Sequence, residues 1–152
     1  MLTLASEQDT LALGAALAAE VRRGDVIAVS GPLGAGKTTL ARGFIQKLAA
    51  GDEDVVSPTF TLVQTYDTPK GVIWHFDLYR LNDPEEALEL GFEEALAAGI
   101  SLIEWPERLG NYLPPHHLHI ALSMAGDGRT VELNGAGWAG RIANVMKHVR
   151  TP

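Results

Sequence analysis

The chain of 152 residues contains no cysteine. Disulfide bonds, thiol nucleophiles and thiolate metal sites are therefore excluded. Long apolar runs are also missing. No stretch approaches the roughly 18 residues that a membrane-spanning helix needs, and Met1-Leu2-Thr3-Leu4-Ala5 carries none of the basic residues that open a secretory signal. A cytoplasmic location, away from membrane, is the expectation. Basic residues are scarce: 12 Lys and Arg stand against 19 Asp and Glu, for a net charge of −7. That balance argues against a broad electrostatic grip on nucleic acid, so any RNA in the biology is better held by another protein. There is no internal repeat, no low-complexity linker and no Asn-Lys-x-Asp segment of the kind that reads guanine.

What is present is ordinary for a globular protein, with 46% hydrophobic and 20% charged residues. The length suits one domain over residues 1–152, large enough for a real core. The most informative segment is Gly31-Pro32-Leu33-Gly34-Ala35-Gly36-Lys37-Thr38, a full G-x-x-x-x-G-K-[ST] phosphate-binding loop. Asp25-Val26-Ile27-Ala28-Val29-Ser30 before it reads as a buried strand, and Thr39 to Leu48 after it shows helical spacing. The chemistry explains the pattern. Glycines let successive N–H groups turn into one concavity, and the helix adds the positive end of its dipole. Gly34, Ala35, Gly36, Lys37, Thr38 and Thr39 are the expected nucleotide contacts, with Lys37 on phosphate and the Thr38 hydroxyl on Mg²⁺.

The rest of the chain alternates helices and strands. Ser6 is placed to cap a helix that Gly24 ends, with Leu11, Leu13, Ala16, Leu17 and Val21 on its apolar face. The loop's helix reaches about Ala50, and Gly51-Asp52-Glu53-Asp54 is a polar turn. Leu62–Tyr66 and Val72–Asp77 form an antiparallel hairpin across Asp67-Thr68-Pro69-Lys70-Gly71. Asp83 caps a helix with Pro84 at its first position, running to Leu90-Gly91, and a short helix follows to Gly99. Ile100–Trp105 is a buried strand. His119–Met124 and Arg129–Leu133 flank a second hairpin turn at Gly126-Asp127-Gly128, and the tail from Trp138 to His148 is helical. The fold class is α/β, a P-loop NTPase-like domain whose mixed sheet has parallel strands around the loop and antiparallel additions at its edges, flanked by helices. A ligand belongs outside the carboxyl ends of the strands.

Nucleotide chemistry needs a carboxylate to hold Mg²⁺ or orient water. Asp77 and Glu104 both end apolar strands, and sequence alone leaves open which one touches the metal. Ser57-Pro58-Thr59 presents two hydroxyls on a stiffened loop and reads either as a γ-phosphate sensor or as an ordinary turn. Trp105 packs over the site, faces a partner or fills the core. His116, His117 and His119 lack nearby thiols or acids and read as residues entering a strand rather than as a metal site.

Four segments occur together in order: the glycine loop, Ser57-Pro58-Thr59-Phe60-Thr61-Leu62-Val63, His75-Phe76-Asp77-Leu78-Tyr79-Arg80-Leu81, and Leu102-Ile103-Glu104-Trp105-Pro106-Glu107. Through them the chain resembles the TsaE (YjeE) family of small bacterial P-loop ATPases of tRNA threonylcarbamoyladenosine synthesis, over about residues 6–135. Pro32 stands where that family usually has Asp, at a position whose side chain is expected to point away from phosphate, with little effect. The resemblance implies weak ATP hydrolysis in isolation and association with the TsaD–TsaB pair, which modifies adenosine 37 of tRNA. ATP turnover resets that complex, and tRNA is met only indirectly. It also implies a catalytic set of Lys37, Asp77 and Glu104, with Thr38 and Glu104 at Mg²⁺, Asp77 supporting metal or water, and Trp105, Glu7 and Arg129 bordering the nucleotide. Tyr79 and Arg80 are expected at a partner-facing strand end.

Two other readings compete. A small-molecule kinase of the P-loop type would need an arginine-bearing lid, and the arginines here are scattered. A nucleotide-dependent switch would bind without turnover.

Overall fold

The computed structural model describes residues 2–49, 55–58 and 60–150. The polar turn expected at 51–54, and Thr59 of the Ser-Pro-Thr loop, lie outside them.

Strand β1 (Leu2–Leu4) leads into helix α1 (Glu7–Glu20), strand β2 (Val26–Ser30) and helix α2 (Lys37–Leu48). Strands β3 (Val63–Thr68) and β4 (Gly71–Asp77) form the first hairpin. Two short helices, α3 (Glu86–Glu89) and α4 (Phe92–Ala98), precede strand β5 (Ile100–Glu104). A 3₁₀ segment over Pro106–Tyr112 connects to strands β6 (Leu118–Ala125) and β7 (Gly128–Asn134), and helix α5 (Ala139–Arg150) closes the described chain. No helix among the described residues is long and apolar enough to cross a membrane.

The strands make one seven-stranded sheet in the order β1-β7-β6-β2-β5-β4-β3. β2 runs parallel to β5 and β6, and β5 runs parallel to β4. The pairs β1–β7, β6–β7 and β3–β4 are antiparallel. The expected mixed sheet, parallel at the glycine loop and antiparallel at the edges, is the one observed. β2 is buried from Val26 to Val29 because helices cover both faces, as a central parallel strand requires. On one face Leu13, Phe44 and Val145 of α1, α2 and α5 pack against Ile27, Val29 and Leu102. On the other, Phe92 and Leu109 pack with Phe76 and Ile103, and the Phe76 and Phe92 rings meet edge to face at 5.7 Å. Each fully buried side chain of this size is worth about 1.5–3 kcal/mol.

Helices α1 and α2 touch backbone to backbone. A methyl group at Gly14 would overlap the Leu40 carbonyl, and one at Gly43 would overlap the Leu11 carbonyl. The two glycines make this approach possible, and it ties the start of α2 to α1.

Several boundaries differ from expectation. α1 ends at Glu20 rather than at Gly24, because Lys70 of the β3–β4 turn donates to the carbonyls of Ala18, Ala19 and Val21. That ammonium satisfies the helix's last acceptors and lies at the negative end of its dipole. Val21 is the C-cap, buried but extended. β3 excludes Leu62, whose φ is +69°. α3 begins at Glu86, but Asp83 still caps the turn before it: its carboxylate accepts from Glu85 N–H, and the Glu86 carboxylate accepts from Asp83 N–H. β5 ends at Glu104, because Trp105 is left-handed at φ +60°. The short edge strand β1 and the 3₁₀ segment carry no pattern that the sequence reading had picked out.

Candidate functional site

The glycine loop bridges β2 and α2. Gly34 and Gly36 have φ of +82° and +100°, a region that costs a residue bearing a Cβ about 1–2 kcal/mol. Gly36 caps α2 and has no side chain to satisfy its first N–H groups, so backbone donors remain for an anion at the helix start. Lys37 Nζ donates to the Gly31 carbonyl at 2.6 Å and the Pro32 carbonyl at 2.9 Å, and it lies 4.3 Å from the centre of the Trp105 ring. Burial lowers the Lys37 pKa from its ordinary value; the negative charges of Glu104, Asp77 and Glu107 oppose that shift. The left-handed turn at Trp105 carries its indole over the ammonium.

Asp77 and Glu104 end neighbouring parallel strands in direct register. They are 6% and 2% exposed. Both face α2, since β4 and β5 alternate sides with period two. The Thr38 hydroxyl donates to Glu104, 3.2 Å from Oε1 and 3.3 Å from Oε2. Asp77 Oδ1 accepts from Tyr79 N–H at 3.1 Å. A cavity of about 280 Å³ joins Gly34, Gly36, Lys37, Thr38, Ser57, Asp77, Glu104 and Trp105 with Leu33. The structure therefore brings together the loop, both strand-end acids, the tryptophan and the first hydroxyl of the Ser-Pro-Thr loop.

A second cavity of about 200 Å³ lies on the other side of the loop, lined by Ser6, Glu7, Thr10, Ala35, Gly36, Asp127 and Arg129. Arg129 donates to the Gly34 carbonyl at 3.0 Å, which straps the β6–β7 hairpin to the loop. Glu7 stands 3.6 Å from Arg42 in an exposed ion pair, a contact of small energetic worth. Glu7 and Arg129 thus share one cleft, while Thr39 lines neither cavity.

Near the strand end, Arg80 lies over the exposed Phe60 ring and Tyr79 packs on Trp105. His119 bonds the Ser30 hydroxyl at 2.8 Å, just before the loop begins. Among the described residues no group of three or more His, Asp or Glu side chains is placed to hold a metal ion by itself, and His116, His117 and His119 do not assemble one.

Sequence reasoning gave His75 no role, although it sits beneath the site with Nε2 2.7 Å from Glu104 Oε2. The available signal was its spacing: two residues before Asp77 on a strand is the same face.

Comparison with known proteins places the chain as a whole. The family described as "Threonylcarbamoyl adenosine biosynthesis protein TsaE" matches residues 4–131. A Rickettsia felis protein named "tRNA threonylcarbamoyladenosine biosynthesis protein TsaE" is 43% identical over 124 residues, which cover 82% of this chain and 72% of that protein. A Bacillus subtilis protein of the same name is 37% identical over 121 residues, 79% of this chain and 75% of its own length. Among solved structures, the crystal structure of Bacillus subtilis YdiB superposes with a TM-score of 0.81 at 28% identity, covering 97% of this chain and 93% of that one.

Proposed function

The chain belongs to the TsaE family of tRNA threonylcarbamoyladenosine biosynthesis, and from that premise we propose that it binds ATP with Mg²⁺ and hydrolyses the γ-phosphate bond to support the TsaD–TsaB complex through repeated turnovers. In this reading residues 1–152 act as one ATPase domain in the cytoplasm, and tRNA is met through the partners.

The observation that carries the reading is the Thr38–Glu104 contact inside the cavity shared with Lys37 and Asp77. A hydroxyl and a carboxylate are hard oxygen donors and suit Mg²⁺, which in nucleotide sites takes few protein ligands and completes its shell with phosphate and water. When bound, Mg²⁺ supplies positive charge to the β- and γ-phosphates. The chain's own residues do the rest. Gly34 to Lys37 offer backbone N–H groups to the phosphates, and the Lys37 ammonium exchanges carbonyl partners for phosphate oxygens. Thr38 and Glu104 hold the ion, and Asp77, beside them, holds water. The cleft at Glu7, Thr10 and Arg129 takes the nucleoside end.

Turnover in isolation is slow in this reading. Among the described residues no arginine lines the 280 Å³ cavity, and an arginine aimed at the γ-phosphate is worth about 10³–10⁵ in rate.

The test is ATP hydrolysis by the purified protein, alone and with TsaD, TsaB and tRNA, with Glu104→Ala as control. Stimulated turnover that Glu104→Ala abolishes supports the reading. Activity that is flat with or without partners, or that survives Glu104→Ala, overturns it and favours a kinase or a switch.

A further inference from the structure

His75 is fully buried at 0% exposure, on the face of β4 that carries Asp77. Its Nε2 lies 2.7 Å from Glu104 Oε2. Its Nδ1 has no hydrogen-bond partner among the described residues. As a core residue it is a poor choice, since an apolar ring of similar size would avoid desolvating two nitrogens to satisfy one. Its position gives it another use. Glutamate reaches its carboxylate through three rotatable bonds, and a ligand with that freedom must be ordered before it can hold an ion. His75 and Thr38 both hold the carboxylate: His75 meets Oε2 alone, which leaves Oε1 free of the imidazole, while the Thr38 hydroxyl reaches both oxygens, 3.2 Å from Oε1 and 3.3 Å from Oε2.

We propose that His75 is a positioning residue for Glu104, whose Nε2–H···Oε2 bond sets the carboxylate so that Oε1 and the Thr38 hydroxyl are presented together to a hard divalent cation. The proposal rests on the reading of Glu104 as a metal ligand. The unpaired Nδ1 fits it. A neutral ring protonated at Nε2 leaves no buried N–H without an acceptor and keeps Glu104 acceptor-only. Hydrogen-bonded supports of this kind change metal affinity about 10–100-fold when removed.

The experiment compares wild type, His75→Met, His75→Gln and Glu104→Gln. Three quantities are read: affinity for a fluorescent ATP analogue in EDTA, the half-saturating Mn²⁺ concentration for the nucleotide complex, and the thermal midpoint. His75→Met is expected to raise half-saturating Mn²⁺ about tenfold or more with nucleotide affinity in EDTA unchanged. His75→Gln, whose amide can donate, is expected to recover most of the loss. An unchanged Mn²⁺ requirement in folded His75→Met overturns the proposal, as does a matching loss of affinity in EDTA.

Glu104→Gln separates the two readings. If it leaves the Mn²⁺ requirement unchanged, Glu104 is not a ligand and the role of His75 falls with it. If it raises that requirement while His75→Met does not, only the positioning role falls. Should His75→Met fail to fold, ¹⁵N spectra of the wild-type imidazole decide. A proton on Nε2, with ring signals that move on adding Mg²⁺ and nucleotide, supports the proposal; a proton on Nδ1 overturns it.

Discussion

Asp77 and Glu104 stand opposite each other across β4 and β5, two carboxylates in register in one buried wall. Like charges in a buried wall repel more strongly than in water, and the Lys37 ammonium, which interacts with both, opposes that repulsion. Asp77→Asn keeps the shape and the acceptor for Tyr79 N–H while removing one charge. The expected result is a higher thermal midpoint, at roughly 2–4 °C per kcal/mol for a chain of this size, with partner-stimulated ATP hydrolysis reduced about 10–100-fold. Differential scanning calorimetry and a phosphate-release assay check both halves; a lower midpoint would show that the pair does not strain the fold.

Among the described residues, Lys37 is the one side-chain cation lining the cavity of the glycine loop, and Lys37→Ala removes it. Nucleotide binding is expected to fall below detection in titration calorimetry, with the circular dichroism spectrum unchanged. Wild-type affinity in the variant would move the phosphate site elsewhere.

His119 is half-buried beside His117. Desolvation first, and His117 second, lower its pKa from 6.5, while Glu107 acts in the opposite direction. A base with a depressed pKa in the folded state binds its proton more tightly once unfolded. Its contribution to stability is therefore present above pH 6.5 and is lost as pH falls from there toward the folded value. Urea unfolding at about pH 7.5 and pH 5.5, on either side of the histidine range, should show wild type losing more stability than His119→Gln. Equal losses would show that other groups control this window.

Gly14 and Gly43 sit where a methyl group meets the carbonyl of the opposite helix. Gly14→Ala and Gly43→Ala are each expected to cost about 1–3 kcal/mol by overpacking, and the double variant should cost less than the sum, because each substitution alone already forces the same two helices apart. Gly140→Ala is the control. Nothing lies near its missing side chain, and this helical position should gain about 0.4–1 kcal/mol. Chemical denaturation of the four variants against wild type tests the set.

Much of this molecule was legible in the chain. The glycine loop announced both its strand and its helix, because its residue types are demanded by backbone geometry. Asp77 and Glu104 were readable as strand-end acids, since each closes an apolar run. Gly126-Asp127 marked its hairpin by turn chemistry. Features that depend on pairing between distant segments were not legible. β1 spans only Leu2–Leu4 and exists by pairing with β7, with Leu2 opposite Val131. His75 and Glu104 meet only once the register of β4 on β5 is known. Gly14 and Gly43 look like weak points in two helices until the crossing is seen. Likewise, nothing local foretold that Lys70 would end α1.

The sheet order has a consequence for how the protein is made. β2, which carries the glycine loop, lies between β5 and β6, both of which are translated later. β2 ends at Ser30 and β6 begins at Leu118. At about 5–20 residues per second, the ribosome needs several seconds to supply both neighbours. Until β5 is complete, β2 has neither edge covered and the loop has no Glu104 beside it, and until β6 follows one edge of β2 stays open. The nucleotide site is therefore among the last parts of the nascent chain to become whole, and substitutions that slow the docking of β5 or β6 should reduce the yield of soluble protein before they reduce the stability of what does fold.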